Sequence, residues 1–131
     1  MPPTAVRVAI IEPVPMREPL EFPESPGATV VLRAAWDGAT LDQLERLEVR
    51  VAVLDLRGIP TPDIGGLMRE VRESPMRPAI VAVTDPGDDA SAQFALACGA
   101  VAHLGRDYSP LALLRATHAA SRNSMHLGRT G

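Results

Sequence analysis

Five short runs of Val, Ile, Leu and Ala punctuate the chain, at Val6–Ile11, Ala28–Leu32, Val49–Leu54, Ala79–Val83 and Ala100–Leu104. Each has the length of a strand. Each is continuously or nearly continuously apolar, the pattern expected of strands buried on both faces of a parallel sheet. Helical spacing fills the gaps between them. Thr40-Leu41-Asp42-Gln43 has the form of a capping box and is followed by Leu44 and Leu47 on the face begun by Leu41. Thr61-Pro62 places a cap before a proline at the first helical position, ahead of Leu67, Met68 and Val71. Asp88 or Asp89 caps a helix carrying Phe94, Ala95 and Cys98, closed by Gly99, and Ser109-Pro110 opens a last helix through Leu111, Leu114 and His118. Alternating β and α segments imply right-handed crossovers and a three-layer α/β sandwich. The first crossover is the irregular one. Five prolines lie between Ile11 and Ala28, so a helix there is short or distorted, around Met16–Phe22.

Composition narrows the class. At 131 residues, with 46% hydrophobic and 22% charged residues, the chain suits one globular domain. The formal net charge of −3 gives no basic surface for gripping nucleic acid directly. All thirteen basic residues are arginine, which excludes any mechanism that requires a lysine. No apolar run is long enough to span a bilayer, and Met1-Pro2-Pro3-Thr4 lacks the order of a signal peptide, so the expected location is the cytoplasm, away from membranes. Cys98 stands alone and reads as a small core residue. No Gly-x-Gly-x-x-Gly, Walker loop, Gly-x-Ser-x-Gly or metal-spaced His/Cys set is present, which argues against an enzyme.

In open parallel sheets, ligands bind beyond the carboxyl ends of the strands. Here those ends read Glu12-Pro13, Asp55-Leu56-Arg57, Thr84-Asp85 and Gly105-Arg106-Asp107. Taken singly, each could be no more than the polar start of a loop. Taken as a set, they form a candidate site.

Several stretches carry a resemblance to a known family: Val6–Glu12, Val51–Arg57, Ile80–Thr84 and, most specifically, Ala97-Cys98-Gly99-Ala100-Val101-Ala102-His103-Leu104-Gly105-Arg106-Asp107-Tyr108-Ser109-Pro110. Over nearly its whole length the chain resembles the receiver (CheY-like) domain of two-component response regulators of the NarL/LuxR type. The resemblance implies a flavodoxin-like (βα)5 fold with strand order 2-1-3-4-5. It also implies a phosphoacceptor aspartate at Asp55, a carboxylate nucleophile forming an acyl phosphate. The family's magnesium would be held by Glu12, Asp55 and the backbone carbonyl of Arg57. Thr84 matches the hydroxyl that bonds the phosphoryl group, Arg106 stands where the family has lysine, and His103 stands where it has the switch aromatic.

The departures point one way. Pro13 replaces the second acid, so the metal would be weak or absent. Arg106 keeps a charge without the compact shape of lysine. Asp85 stands where a small residue is usual and would repel phosphate or serve as a metal ligand, unless it is simply a turn residue before Pro86-Gly87. His103 is either a pH-sensitive or ligand-contacting switch or the polar end of a strand. The expectation is an atypical receiver over residues 1–120 with impaired or absent phosphorylation, and residues 121–131 as a linker towards a helix-turn-helix output domain through which DNA would be contacted. The expected partners are a second copy, joined through Phe94–Cys98, His103–Tyr108 and Leu111–Arg115, and either a sensor histidine kinase or a small-molecule ligand. The competing expectation is a small-molecule or flavin-binding module, although Glu12-Pro13-Val14-Pro15-Met16 offers few backbone donors for a flavin phosphate.

Overall fold

The computed structural model describes residues 5–14 and 18–130, with side chains as far as residue 122. Among the described residues nine elements follow in chain order: β1 (Val6–Ile11), β2 (Ala28–Ala34), α1 (Gly38–Arg46), β3 (Val51–Asp55), α2 (Thr61–Arg72), β4 (Ala79–Val83), α3 (Asp89–Ala97), β5 (Ala102–Leu104) and α4 (Pro110–Thr130). The five strands form one parallel sheet in the order β2-β1-β3-β4-β5. The chain has the α/β CheY-like fold.

The continuous apolar runs are explained by layers on both sides of the sheet. All five residues of β3 and all five of β4 are buried. On one face Ala9, Ile11, Ala52, Leu54, Ile80 and Ala82 meet Leu44 of α1, Ile64 and Met68 of α2 and Ala95 of α3. On the other, Val8, Ile10, Val51, Val53 and Val81 meet Leu113 and Ala120 of α4 together with Leu20. Leu20 is 1% exposed although no helix carries it. No helix is present from Glu18 to Gly27, so the expected short helix is absent over the described part of Met16–Phe22; Met16 and Arg17 lie outside the described residues. Prolines at 19, 23 and 26 deny a helix its backbone donors and fixed geometry. The segment instead runs as an extended strap that buries one leucine where a helix would bury a face.

Several boundaries differ from the sequence reading for local reasons. The cap of α1 is Asp37, whose side chain accepts from the backbone of Ala39 and Thr40, while Thr40 closes the box from the third helical position. The box therefore begins three residues before the one expected. Pro60 precedes α2 without a side-chain cap, and Thr61 hydrogen-bonds Ser91 at 2.8 Å instead. Asp88 caps α3, as one of the two candidates, and Gly99 adopts φ +112° after it. Val49 and Ala100 close the preceding helices by donating to Leu44 and Ala95, so β3 and β5 each begin two residues later than their apolar runs. The helix α4 continues through Thr130, across the stretch read as linker. Among the described residues no helix is long and apolar enough to cross a membrane.

Candidate functional site

Three strand ends and the strap converge at the carboxyl edge of the sheet. Asp55 is the last residue of β3 and is 1% exposed. Its carboxylate is gripped by Arg57, two residues on: Nε donates to Oδ1 at 2.9 Å, Nη2 donates to Oδ2 at 2.8 Å, and the Arg57 backbone N–H donates to Oδ1 at 3.2 Å. A charged fork on both oxygens is the strongest common pairing of these groups. The hydrogen bond to Asp55 pushes the Arg57 pKa above its usual value; burial opposes this, and electrostatic interaction with Asp55, Tyr108 and Asp85 adds to it. The chain can fold back on itself here because Gly58 takes φ +78° immediately afterwards.

Four of the remaining candidates, Glu12, Asp85, Thr84 and His103, are engaged as well. Glu12, at the end of β1, pairs with Arg33 of β2 at 3.5 Å. Pro13 contributes no side-chain ligand. Asp85 accepts from the Gly58 backbone N–H at 3.1 Å and so braces the loop that carries Arg57. Thr84, 2% exposed, and His103 are joined between Oγ1 and Nε2 at 2.7 Å, a contact set by the parallel pairing of Ala82 with His103 and Val83 with Leu104. Gly105 permits this approach, since a Cβ there would come within 3.2 Å of the His103 ring. Arg106 does not join the cluster: it is exposed and its guanidinium lies over Gly87.

Three tethers that sequence reasoning missed tie the strap to the site. Arg57 Nη2 also donates to the Glu18 carbonyl at 2.9 Å, Arg33 donates to the Leu20 carbonyl, and the Tyr108 hydroxyl accepts from the Glu21 backbone N–H at 3.0 Å. The family resemblance gives Arg57 only a backbone role. Its spacing from Asp55 was the available signal, because an arginine two residues past a buried carboxylate can reach it across a turn.

These residues do not fit a magnesium ion. Magnesium needs an octahedron of oxygens with open carboxylates among them, whereas both oxygens of Asp55 are held by Arg57 and Glu12 faces Arg33. Among the described residues no three His, Cys, Asp or Glu side chains gather as a metal-binding group. The cation beside Asp55 is the protein's own.

No family model and no curated protein matches the sequence. Solved structures do match the fold. The signal receiver domain of the response regulator NarL from Mycobacterium tuberculosis superposes with a TM-score of 0.67 at 19% identity, over 92% of this chain and 98% of that one. A LuxR-family two-component response regulator from Aurantimonas sp. SI85-9A1 gives 0.67 at 22% identity, over 91% and 86%. The receiver domain of a Luxo repressor protein from Vibrio parahaemolyticus gives 0.64 at 13%, over 96% and 97%. The chain therefore has the fold of response-regulator receiver domains, with an arginine closed over the aspartate at the end of its third strand.

Proposed function

We propose that the chain is a non-catalytic, receiver-type switch domain that works without ordinary phosphotransfer, controlling a transcriptional regulator through association of its copies. The observation that carries this reading is the buried Asp55–Arg57 pair. A phosphoryl donor must reach a carboxylate oxygen that is free to attack, and here each oxygen accepts a charged hydrogen bond. The magnesium that normally lowers repulsion between phosphate and carboxylate has no ligand set. A sensor kinase addressing Asp55 would meet a closed site.

Association as the output is supported by the distribution of exposed apolar side chains. Among the described residues the large exposed hydrophobics are Phe94, Leu96, Val101 and Leu111, on α3, on α4 and on the turn before β5. They fall on or beside the face expected to join two copies. A small face of this kind buries on the order of 1,200 Å² or less, the range of weak and concentration-dependent complexes.

The test is incubation with acetyl phosphate, or beryllofluoride, plus magnesium, read by phosphate-sensitive gels and amide spectra. The expected result is no stoichiometric label at Asp55 and an unchanged spectrum. Robust labelling at Asp55 would overturn the reading and leave an ordinary receiver.

A further inference from the structure

At the other end of the sheet, before β3 and β4, lies a groove of about 1150 Å³ whose walls include Arg50, Arg69, Arg72, Arg77, Phe94 and Val101. We propose that it binds an aromatic phosphate anion of the nucleotide type. This site is separate from Asp55 and does not depend on how Asp55 is used; Phe94 and Val101 also border the face proposed for association, so a bound nucleotide and a second copy would compete for them.

Charge is the first argument. Four of the thirteen arginines of an acidic chain line one groove, with Glu73 the single acid among its walls. The ion pairs among the described residues, Glu12–Arg33 and Asp55–Arg57, involve none of these four. Like charges gathered along one groove raise the local concentration of anions and repel one another until one binds.

Two of the four have structural uses. Arg69 and Arg72 lie in the last turn of α2, where the helix dipole favours cations. Arg72 also donates from Nη1 to the Cys98 carbonyl at 2.7 Å, and Gly99 makes room for it, since a Cβ there would come within 3.0 Å of the guanidinium. Arg72 is thereby fixed before any ligand arrives. Arg50 and Arg77 serve no helix end. The backbone of Arg50 is pinned by Arg7 at 2.9 Å and Ala79 at 3.0 Å, and Arg77 sits in a tight turn at φ +46°, its N–H donating to Ser74 at 3.0 Å. Both present exposed guanidinium groups from rigid backbone.

Shape is the second argument. Phe94 and Val101 are each 38% exposed on the groove wall, and Gly65 leaves the Phe94 ring room, since a Cβ there would lie 3.3 Å from it. Planar guanidinium forks match phosphate oxygens two at a time, and an aromatic face stacks a base. Inorganic phosphate would leave the apolar wall unused. A long nucleic acid would need a basic track, which the acidic remainder of the chain does not provide.

The experiment is calorimetric titration of the whole chain with ADP, GDP and inorganic pyrophosphate at low salt. The expected result is saturable one-to-one binding of at least one nucleotide, tighter than pyrophosphate. Arg50→Gln with Arg77→Asn should weaken it at least tenfold; asparagine tolerates the left-handed backbone at 77. Phe94→Ser should weaken the nucleotide and leave pyrophosphate unchanged. Arg46→Gln with Arg122→Gln, exposed positions outside the groove, should alter nothing. Circular dichroism and urea melts confirm that each variant is folded. Absence of saturable binding into the millimolar range, equal loss in the control pair, or equal weakening of nucleotide and pyrophosphate by Phe94→Ser would overturn the proposal.

Discussion

Replacing Arg57 with alanine isolates the interaction that closes the site. Asp55 is 1% exposed and accepts two side-chain bonds at 2.9 and 2.8 Å plus a longer backbone bond at 3.2 Å, all from Arg57. Truncation leaves the carboxylate buried with the backbone donor alone. Stripping one partner from a buried ion pair costs about 3–5 kcal/mol. The Arg57 side chain is 16% exposed, so water enters the vacated space and the expected loss falls to about 2–3 kcal/mol. For a chain of this size that corresponds to roughly 8–12 °C in Tm. The raised pKa of Arg57 fixes the sign with pH: the contribution is whole below the pKa of a free guanidinium and is lost only as pH rises through the still higher folded value. The cost of the substitution should therefore owe nothing to arginine titration between pH 6 and pH 9. Urea unfolding of the wild type, Arg57→Ala, Asp55→Asn and the double variant closes a cycle with an expected coupling of about 1.5–3 kcal/mol. A loss below about 0.5 kcal/mol with no coupling would place the pair among surface contacts and refute the argument that it closes the site.

Leu20→Ala should cost about 2–4 kcal/mol in urea unfolding, because the strap's one fully buried leucine fills the space opposite Val8, Ile10 and Leu113. Gly99→Ala should cost about 1–3 kcal/mol through its φ of +112° and the displaced Arg72 side chain, again by urea unfolding. His103→Tyr, which breaks the 2.7 Å bond to Thr84 at the edge of the association face, should shift the monomer–dimer balance in sedimentation more than His118→Ala does. An equal effect would make position 103 only structural.

The sheet was legible because its signal is redundant. Two central strands buried on both faces can only be written in continuous apolar residues, and β1 and β4 fall on the runs from which they were inferred. The errors share a cause: an apolar run does not distinguish a strand from the residue that closes the helix before it. Val49 and Ala100 are buried for the second reason. The first crossover was legible as irregular from its prolines. That an extended strap could bury Leu20 was not, since a single apolar residue has no period to detect.

The site was legible as a set of positions and opaque as a set of partners. Strand ends are fixed by the fold, so Glu12, Asp55, Thr84 and His103 could be placed in advance, and the Thr84–His103 contact follows from neighbouring strands. Which charge answers which depends on side-chain direction. Arg106 occupies the register where a cation is expected and turns to Gly87, while Arg57, read for its backbone alone, supplies the cation. The difference is one of reach. Closing onto Asp55 from position 57 needs only a short turn, shaped by Gly58 and braced by Asp85, whereas position 106 must cross from the far side of β4. A local contact loses less chain entropy than a distant one. Pro13 offers no side-chain oxygen at the end of β1, and the nearest guanidinium supplies the positive charge that Asp55 faces.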